Sequence, residues 1–367
     1  MLAIDGGYVS SGTAQIGANL NGKGTVEVTD GIWDISNLLL VGNYGKGALT
    51  ISGGLVHVSG STVVGNNSVF GTLGSGTLIL SGNAEKRGVL ETERLTQKLG
   101  SATVLFDGGI LRALRDDTAF INNFQEGALA VGEGGAFIDT NGYSEGITSS
   151  FSGTGQLTKV GSGTLTISAN QAHTGEIVVD AGVLRANATV GSSRIIVNGG
   201  AVLGGTGVVN EVVLHQEGII APGNSIGSLH TGSQIWNGGA VYQWEIDNLA
   251  DPAQWDLLEI DGTLTLNPGE GPITLLISQL NPETDPDLGT PYRLTIVTTT
   301  DGIIGFSEDA FHIGGSGGSL CDFAVQLSED GGNLELVYQV IPEPGTGILV
   351  AGGVLAVACF RRRGQKR

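Results

Sequence analysis

Two cysteines in 367 residues, Cys321 and Cys359, are too few for a disulfide-stapled scaffold or a cysteine-rich metal cluster. Nine prolines and the lack of a strict every-third glycine exclude a collagen-like chain. Positive charge is scarce: 17 basic residues stand against 36 acidic ones, a formal net charge of -19. Five of the 17 crowd into residues 361–367, so the body keeps only 12. A body this acidic repels nucleic acid and anionic lipid, which leaves cations, neutral glycans and other proteins as companions. The five histidines, His57, His173, His215, His230 and His312, show neither H-x-H nor H-E-x-x-H spacing, so they give no sign of a zinc site.

What the chain has in excess is glycine, 63 residues, interleaved with Val, Ile, Leu and Thr. That mixture favours many short strands joined by tight turns. Glycines recur with a period of about two dozen residues: Gly7, Gly31 and Gly54 each close a run of alternating residues. A second set follows an apolar pair, in Gln15-Ile16-Gly17, Leu40-Val41-Gly42 and Val63-Val64-Gly65. Alternation puts Val26 and Val28, or Leu49 and Ile51, on one face and polar residues on the other. About 24 residues is one turn of a β-solenoid built from two or three strands. The G-x-G steps at 22–24, 74–76, 153–155, 161–163 and 205–207 read as corners, where positive φ is needed. None precedes a helical run, so none reads as a phosphate cradle.

Residues 153–187 carry a more specific pattern. Gly153-Thr-Gly-Gln-Leu-Thr-Lys-Val-Gly-Ser-Gly-Thr-Leu-Thr-Ile-Ser168 is followed by Thr174-Gly175-Glu-Ile-Val-Val-Asp-Ala-Gly-Val-Leu-Arg-Ala-Asn187. This resembles the autotransporter-associated β-strand repeat of secreted bacterial passengers. The stretches 106–112 and 196–203 are similar to further, degenerate coils, and Ala221-Pro222-Gly223-Asn224-Ser225-Ile226-Gly227-Ser228-Leu229 is similar to a segment near the end of such passengers. The resemblance implies a right-handed parallel β-helix. Strand runs at 273–277, 293–298 and 333–340 are expected to cap it, since an uncapped end exposes edges and core.

The chain ends in Ile341-Pro342-Glu343-Pro344-Gly345, a mostly apolar run over 346–360, and Arg361-Arg362-Arg363. This resembles the PEP-CTERM sorting signal of Gram-negative bacteria, which implies an exosortase-type membrane protease as partner. The apolar run as a helix is about 22 Å long against a hydrocarbon core of about 30 Å, so it suits transient attachment to the inner membrane. The arginines hold the end cytoplasmic and place the body outside. Met1 opens directly in repeat sequence without an apolar leader, so the true start is expected upstream.

Chemistry has few footholds. G-x-S-x-G occurs at Ser225 and Ser316, but a nucleophile elbow needs a strand before it and a helix after it, and neither context fits. A polysaccharide lyase or hydrolase on a β-helix face would need clustered carboxylates, for which Glu27, Asp30 and Asp34, Asp116 and Asp117, and Asp285 and Asp287 are candidates. A passenger fragment of a self-transporting protein is the other alternative, although such a protein ends in a membrane barrel.

The expectation is therefore an all-β chain, a right-handed parallel β-helix with a C-terminal β cap and a short C-terminal transmembrane-type helix. Residues 1–88 form glycine-rich repeats, 89–215 the solenoid with the passenger-type repeat, 216–340 the terminal coils and cap, and 341–367 the sorting tail. It is expected to be exported, to attach transiently to the inner membrane, and to reach the outer surface or matrix as a structural or adhesive element. No catalytic residue, cofactor or metal ligand is expected, beyond weak calcium binding at acidic turns. Partners are the protease, through Pro342, Glu343, Pro344 and the stop at Arg361, Arg362 and Arg363, and glycans or an exopolymer matrix.

Overall fold

The computed structural model describes residues 1–66, 73–248, 251–279, 292–315 and 321–340. The sorting tail, the apolar run expected as a helix, and the candidates Asp285, Asp287 and Ser316 lie outside these residues. The described chain has 34 strands and three short 3-10 helices, at Pro252–Gln254, Pro268–Glu270 and Glu308–Ala310. No described helix is long and apolar enough to cross a membrane.

The strands stack as a parallel β-solenoid with three faces. On the first face the rungs follow one another in register from Tyr8 to Ile32, Leu55, Val89, Ile110 and Phe137. The same column continues through Thr158, Val178, Ile196, Val213, Ile235, Thr265 and Ile304. That path contains thirteen rungs. A second face begins with pairing of residues 2–4 with 26–28 and runs through Lys46–Ile51, Ser75–Ser81 and Ser101–Asp107. A third face runs from Ala14–Ile16 through Leu39–Val41 to the later halves of Leu55–Val64 and Val89–Gln97. Pairing continues without a break past residues 88 and 215.

Alternation decides what lies inside. Val28, Leu49, Ile51, Leu78, Leu80, Val104 and Phe106 are fully buried, while their neighbours in sequence point outward. Burying each such side chain contributes about 1.5–3 kcal/mol, and successive rungs share one interior. Toward the C-terminus that interior is filled by larger groups. Trp236 and Tyr242 pack with ring centroids 5.5 Å apart, and the Tyr242 hydroxyl donates to the Ile296 carbonyl at 2.8 Å.

The cap is antiparallel. Asn333–Val340 pairs on one side with Tyr292–Thr299 and on the other with Cys321–Leu327, while Tyr292–Thr299 still pairs in parallel with Leu257–Ile260. Leu334 and Leu336 are buried beneath it. Reversing strand direction ends the ladder that a further parallel coil would extend.

The two recurrent glycine sets are corners. Gly7, Gly31 and Gly54 have φ of 73°, 77° and 68°, and Gly17, Gly42 and Gly65 have 71°, 75° and 70°. The G-x-G steps need a correction. Gly153, Gly161 and Gly205 have positive φ, but Gly24 and Gly76 lie inside strands with no such requirement. Gly24, Gly47 and Gly76 form one in-register column packed against the corner column; a Cβ on Gly24 would sit 2.6 Å from the Gly17 nitrogen, and one on Gly76 2.7 Å from the Gly65 nitrogen. Their role is close approach of two backbones.

Gly42 combines both constraints, since a Cβ there would overlap the Ser75 carbonyl. Gly42→Ala is expected to lower the urea midpoint, with a cost of about 2 kcal/mol or more. The same change at Gly331, which has no neighbour within 4 Å, carries only the φ strain of about 1 kcal/mol.

Candidate functional site

In-register stacking brings together side chains that lie far apart in sequence. Asp34, His57, Glu91, Arg112 and Asp139 occupy one outward column of the first face. His57 Nδ1 lies 3.0 Å from a Glu91 oxygen, Arg112 Nη1 donates to the other at 2.8 Å, and Arg112 Nε donates to Asp139 at 2.7 Å. Asp34 closes the column's end by accepting from the Tyr8 hydroxyl at 2.5 Å. Like charges directly opposite destabilise a pair at about 4.8 Å, and here His57 separates Asp34 from Glu91 and Arg112 separates Glu91 from Asp139. Four members follow a glycine by three residues, Gly31, Gly54, Gly88 and Gly109, so aligning the coils on those glycines reveals them in the sequence.

Within this column Ser59 Oγ lies 3.4 Å from His57 Nε2. Ser59, His57 and Glu91 thus have the order of a nucleophile, base and orienting carboxylate. They sit on an open strand surface, however, and Glu91 is shared with Arg112.

The other candidate acids are dispersed. Asp30 is exposed and 3.2 Å from Lys86, and Asp117 is gripped by Arg94 through bonds of 2.7 and 2.9 Å. Asp116 accepts from the Ser144 nitrogen, and Glu27 points outward between Ala3 and Thr50. Ser225 follows the strand Ile219–Pro222 and precedes the strand Ser228–Thr231, with no helix after it. Of the histidines, His173 is buried with Nε2 2.6 Å from the Gly155 carbonyl, and burial holds its pKa down. His215 lies 3.1 Å from Asn198, and His230 lies 3.3 Å from Glu259. Among the described residues no group of three or more His, Cys, Asp or Glu is arranged to hold a metal ion.

Three buried ionisable groups escape a reading by alternation. Lys159, the lysine of the quoted repeat, points into the core and is tied off by the Thr140 hydroxyl and the carbonyls of Val160, Gly161 and Ala181, at 2.6–3.1 Å. It links the corners of successive coils, and burial lowers its pKa to about 8. Asp256 accepts from the backbone nitrogens of Gly227 and Glu245, each at 2.9 Å, so it stitches the Pro222–Gly227 loop to the next coil. Burial raises its pKa to about 8 against those two bonds. Glu145 sits between Asp117 and Leu165 on the interior of the third face, 2% exposed, with neither oxygen hydrogen-bonded.

An open hollow of about 530 Å³ lies on the second face between His230, Glu259, Asp261 and Thr298–Thr300. A second, of about 200 Å³, lies over Gly204 and Ala221, with Arg185 and Glu245 on its walls.

With this geometry established, comparison with known proteins is informative. Residues 157–186 match the passenger-associated-transport-repeat, and residues 340–363 match the PEP-CTERM protein-sorting motif. The chain carries a passenger-type repeat and a sorting motif. The repeat match begins with the strand Leu157–Val160 and ends with the strand Val183–Ala186, so it covers two successive strands on the first face and two on the third. The sorting match includes Pro342, Glu343, Pro344 and the three arginines. Two extracellular serine proteases of Serratia marcescens are similar, one 37% identical over 163 residues and the other 34% over 162, each covering 43% of this chain. The chain spans only 15% of the length of these relatives. The repeat, the sorting motif and the extracellular relatives support an exported, cell-surface or extracellular protein.

Glu145 generates a measurable consequence. Burial first, then the nearby charges of Asp117 and Asp116, raise its pKa to about 8 from 4.5. The folded form therefore holds a proton that the unfolded chain releases. The stabilisation is complete below pH 4.5 and is lost as pH rises to about 8, at roughly 1 kcal/mol per pH unit. Urea titrations at pH 5, 6.5 and 8 should show that slope in the native chain. Asp256, raised likewise to about 8, adds a similar slope, so Glu145→Leu should remove about half of the observed dependence and raise the midpoint at pH 8.

Proposed function

We propose that the protein is a non-catalytic surface or matrix element, a rigid and adhesive β-solenoid delivered through its terminal sorting motif. The observation that carries this reading is the unbroken register of thirteen rungs on the first face, whose charged side chains are engaged with one another. A rod of this kind presents the same shallow surface many times, so weak contacts sum to useful avidity. The right-handed sense expected of parallel strands joined within one sheet belongs to this reading. So does recognition of Pro342, Glu343 and Pro344 by an exosortase-type protease, with residues 346–360 as a helix that holds the chain briefly at the inner membrane.

Fractionation in a Gram-negative host with a PEP-CTERM pathway tests the route. The intact chain, expressed behind a secretion signal, should reach the surface or medium shortened by its tail. Replacing Pro342, Glu343 and Pro344 by Ala should leave the unshortened form in the inner membrane, and deleting 341–367 should leave the body in the periplasm. An identical distribution of all three would refute the route.

The Ser59, His57 and Glu91 arrangement favours hydrolysis as a second reading, and the relatives' description as proteases makes it worth measuring. A fluorophosphonate probe separates the two. Absence of labelling is the outcome expected of a structural column; labelling that disappears in Ser59→Ala would establish the hydrolase.

A further inference from the structure

We propose that the outer surface of the first face is a binding track for an uncharged linear polysaccharide. This rests on the adhesive reading above and assigns it to one surface.

The thirteen-rung column that starts at Tyr8 alternates with the core positions; eleven of its residues are apolar and the other two are threonines, and all but Thr158 and Val178, 8% and 9% exposed, are at least partly open to solvent. Tyr8, Ile32 and Ile304 are 63%, 39% and 60% exposed, and Leu55, Ile110 and Phe137 are partly so. At about 4.8 Å per rung the stripe is roughly 58 Å long. Leaving out the covered pair, the column exposes apolar surface in two stretches, Tyr8 to Phe137, where the Arg87 guanidinium lies 3.8 Å over the Phe137 ring, and Ile196 to Ile304, and exposed apolar surface that repeats in register marks a contact site.

Beside the stripe, two residues further along each strand, runs a column of hydrogen-bonding groups. It begins with the Asp34-to-Asp139 ladder, is interrupted by Val160, and resumes through Asp180, Asn198, His215 and Asn237. Asn198 donates to Asp180 at 3.0 Å and lies 3.1 Å from His215, so these side chains are held in place. An occupant must therefore repeat along one axis, with an apolar surface facing the stripe and hydroxyls or amides facing the polar column. A linear chain of sugar rings has that form, with C–H faces and hydroxyl edges.

Charge decides between a polymer and a second copy of this chain. The polar column holds four carboxylates, Asp34, Glu91, Asp139 and Asp180, against one arginine, Arg112. Two such faces packed at about 10 Å would bring like charge within roughly a Debye length. The same charge repels an anionic polymer. An uncharged one meets no such penalty.

The test is co-sedimentation of the purified body, residues 1–340, with microcrystalline cellulose, chitin and curdlan, with immobilised alginate as the anionic comparison. Three proteins are compared: native, the triple variant Ile32→Thr, Ile110→Thr, Ile235→Thr, and Val208→Thr, which changes an exposed apolar residue of the second face. Threonine keeps the β-branch, and an unchanged circular dichroism spectrum and urea midpoint confirm folding. Expected is retention of native protein on at least one uncharged polymer and little on alginate. The triple variant should bind at least tenfold more weakly, and Val208→Thr like the native chain. Undiminished binding by the folded triple variant would overturn the assignment to this face while leaving the adhesive reading intact. Retention on none of the uncharged polymers, or equal retention on alginate, would overturn the ligand. A native dimer in sedimentation velocity that the triple variant abolishes would assign the stripe to self-association instead.

Discussion

Register is the constraint on which everything else in this molecule depends. Once parallel coils stack without slippage, each residue meets the residue one coil away at about 4.8 Å, and a column becomes a unit of selection in place of a single side chain. Apolar columns can repeat one residue type indefinitely, as Leu165, Leu184 and Leu203 do. Charged columns cannot, and the order Asp34, His57, Glu91, Arg112, Asp139 is the solution: no two carboxylates stand on adjacent rungs. Amide groups solve the same problem neutrally, as where Asn66 donates to Asn43 and Asn43 to Gln15.

Register itself is imposed at the corners. Gly17, Gly42 and Gly65 turn the chain with positive φ, and the glycines of the strands that follow pack against them with no room for a Cβ. Two backbones in contact cannot slide without a clash, so this glycine pair fixes the phase of each coil. Later coils use other devices for the same end. Lys159 binds carbonyls from its own corner and the next, and Asp256 joins the Pro222–Gly227 loop to the strand of Glu245.

Much of this was legible in the sequence because corners and alternation are local signals. The spacing of Gly7, Gly31 and Gly54 gave the coil length, and alternation located the strands at 273–277, 293–298 and 333–340, but the first is a parallel coil strand and not part of the cap, whose third strand, Cys321–Leu327, alternation did not single out. The paired columns were not legible in the same way. His57 and Glu91 are 34 residues apart, because the spacing that is 23 residues from Gly31 to Gly54 lengthens to 34 from Gly54 to Gly88. Glu145 and Lys159 defeat alternation altogether. A charged residue at an inward position reads as an outward one until its rung is known, and only the register assigns Glu145 to the same interior column as Leu165.

The same logic bears on why the acidic excess is tolerated. Net charge far from zero keeps an exported rod soluble but opposes compaction. In a solenoid that opposition is spread along one axis, and many carboxylates have partners within their own column or at a corner: Glu91, Asp139, Asp117 and Glu211 each contact an arginine. Glu145 is the buried exception, while exposed carboxylates such as Glu126, Glu133 and Asp301 face water, where mutual repulsion keeps copies apart. An apolar stripe between such columns would invite aggregation on a neutral rod. Here the flanking charge guards it against another copy, while an uncharged chain that repeats along the same axis passes that guard.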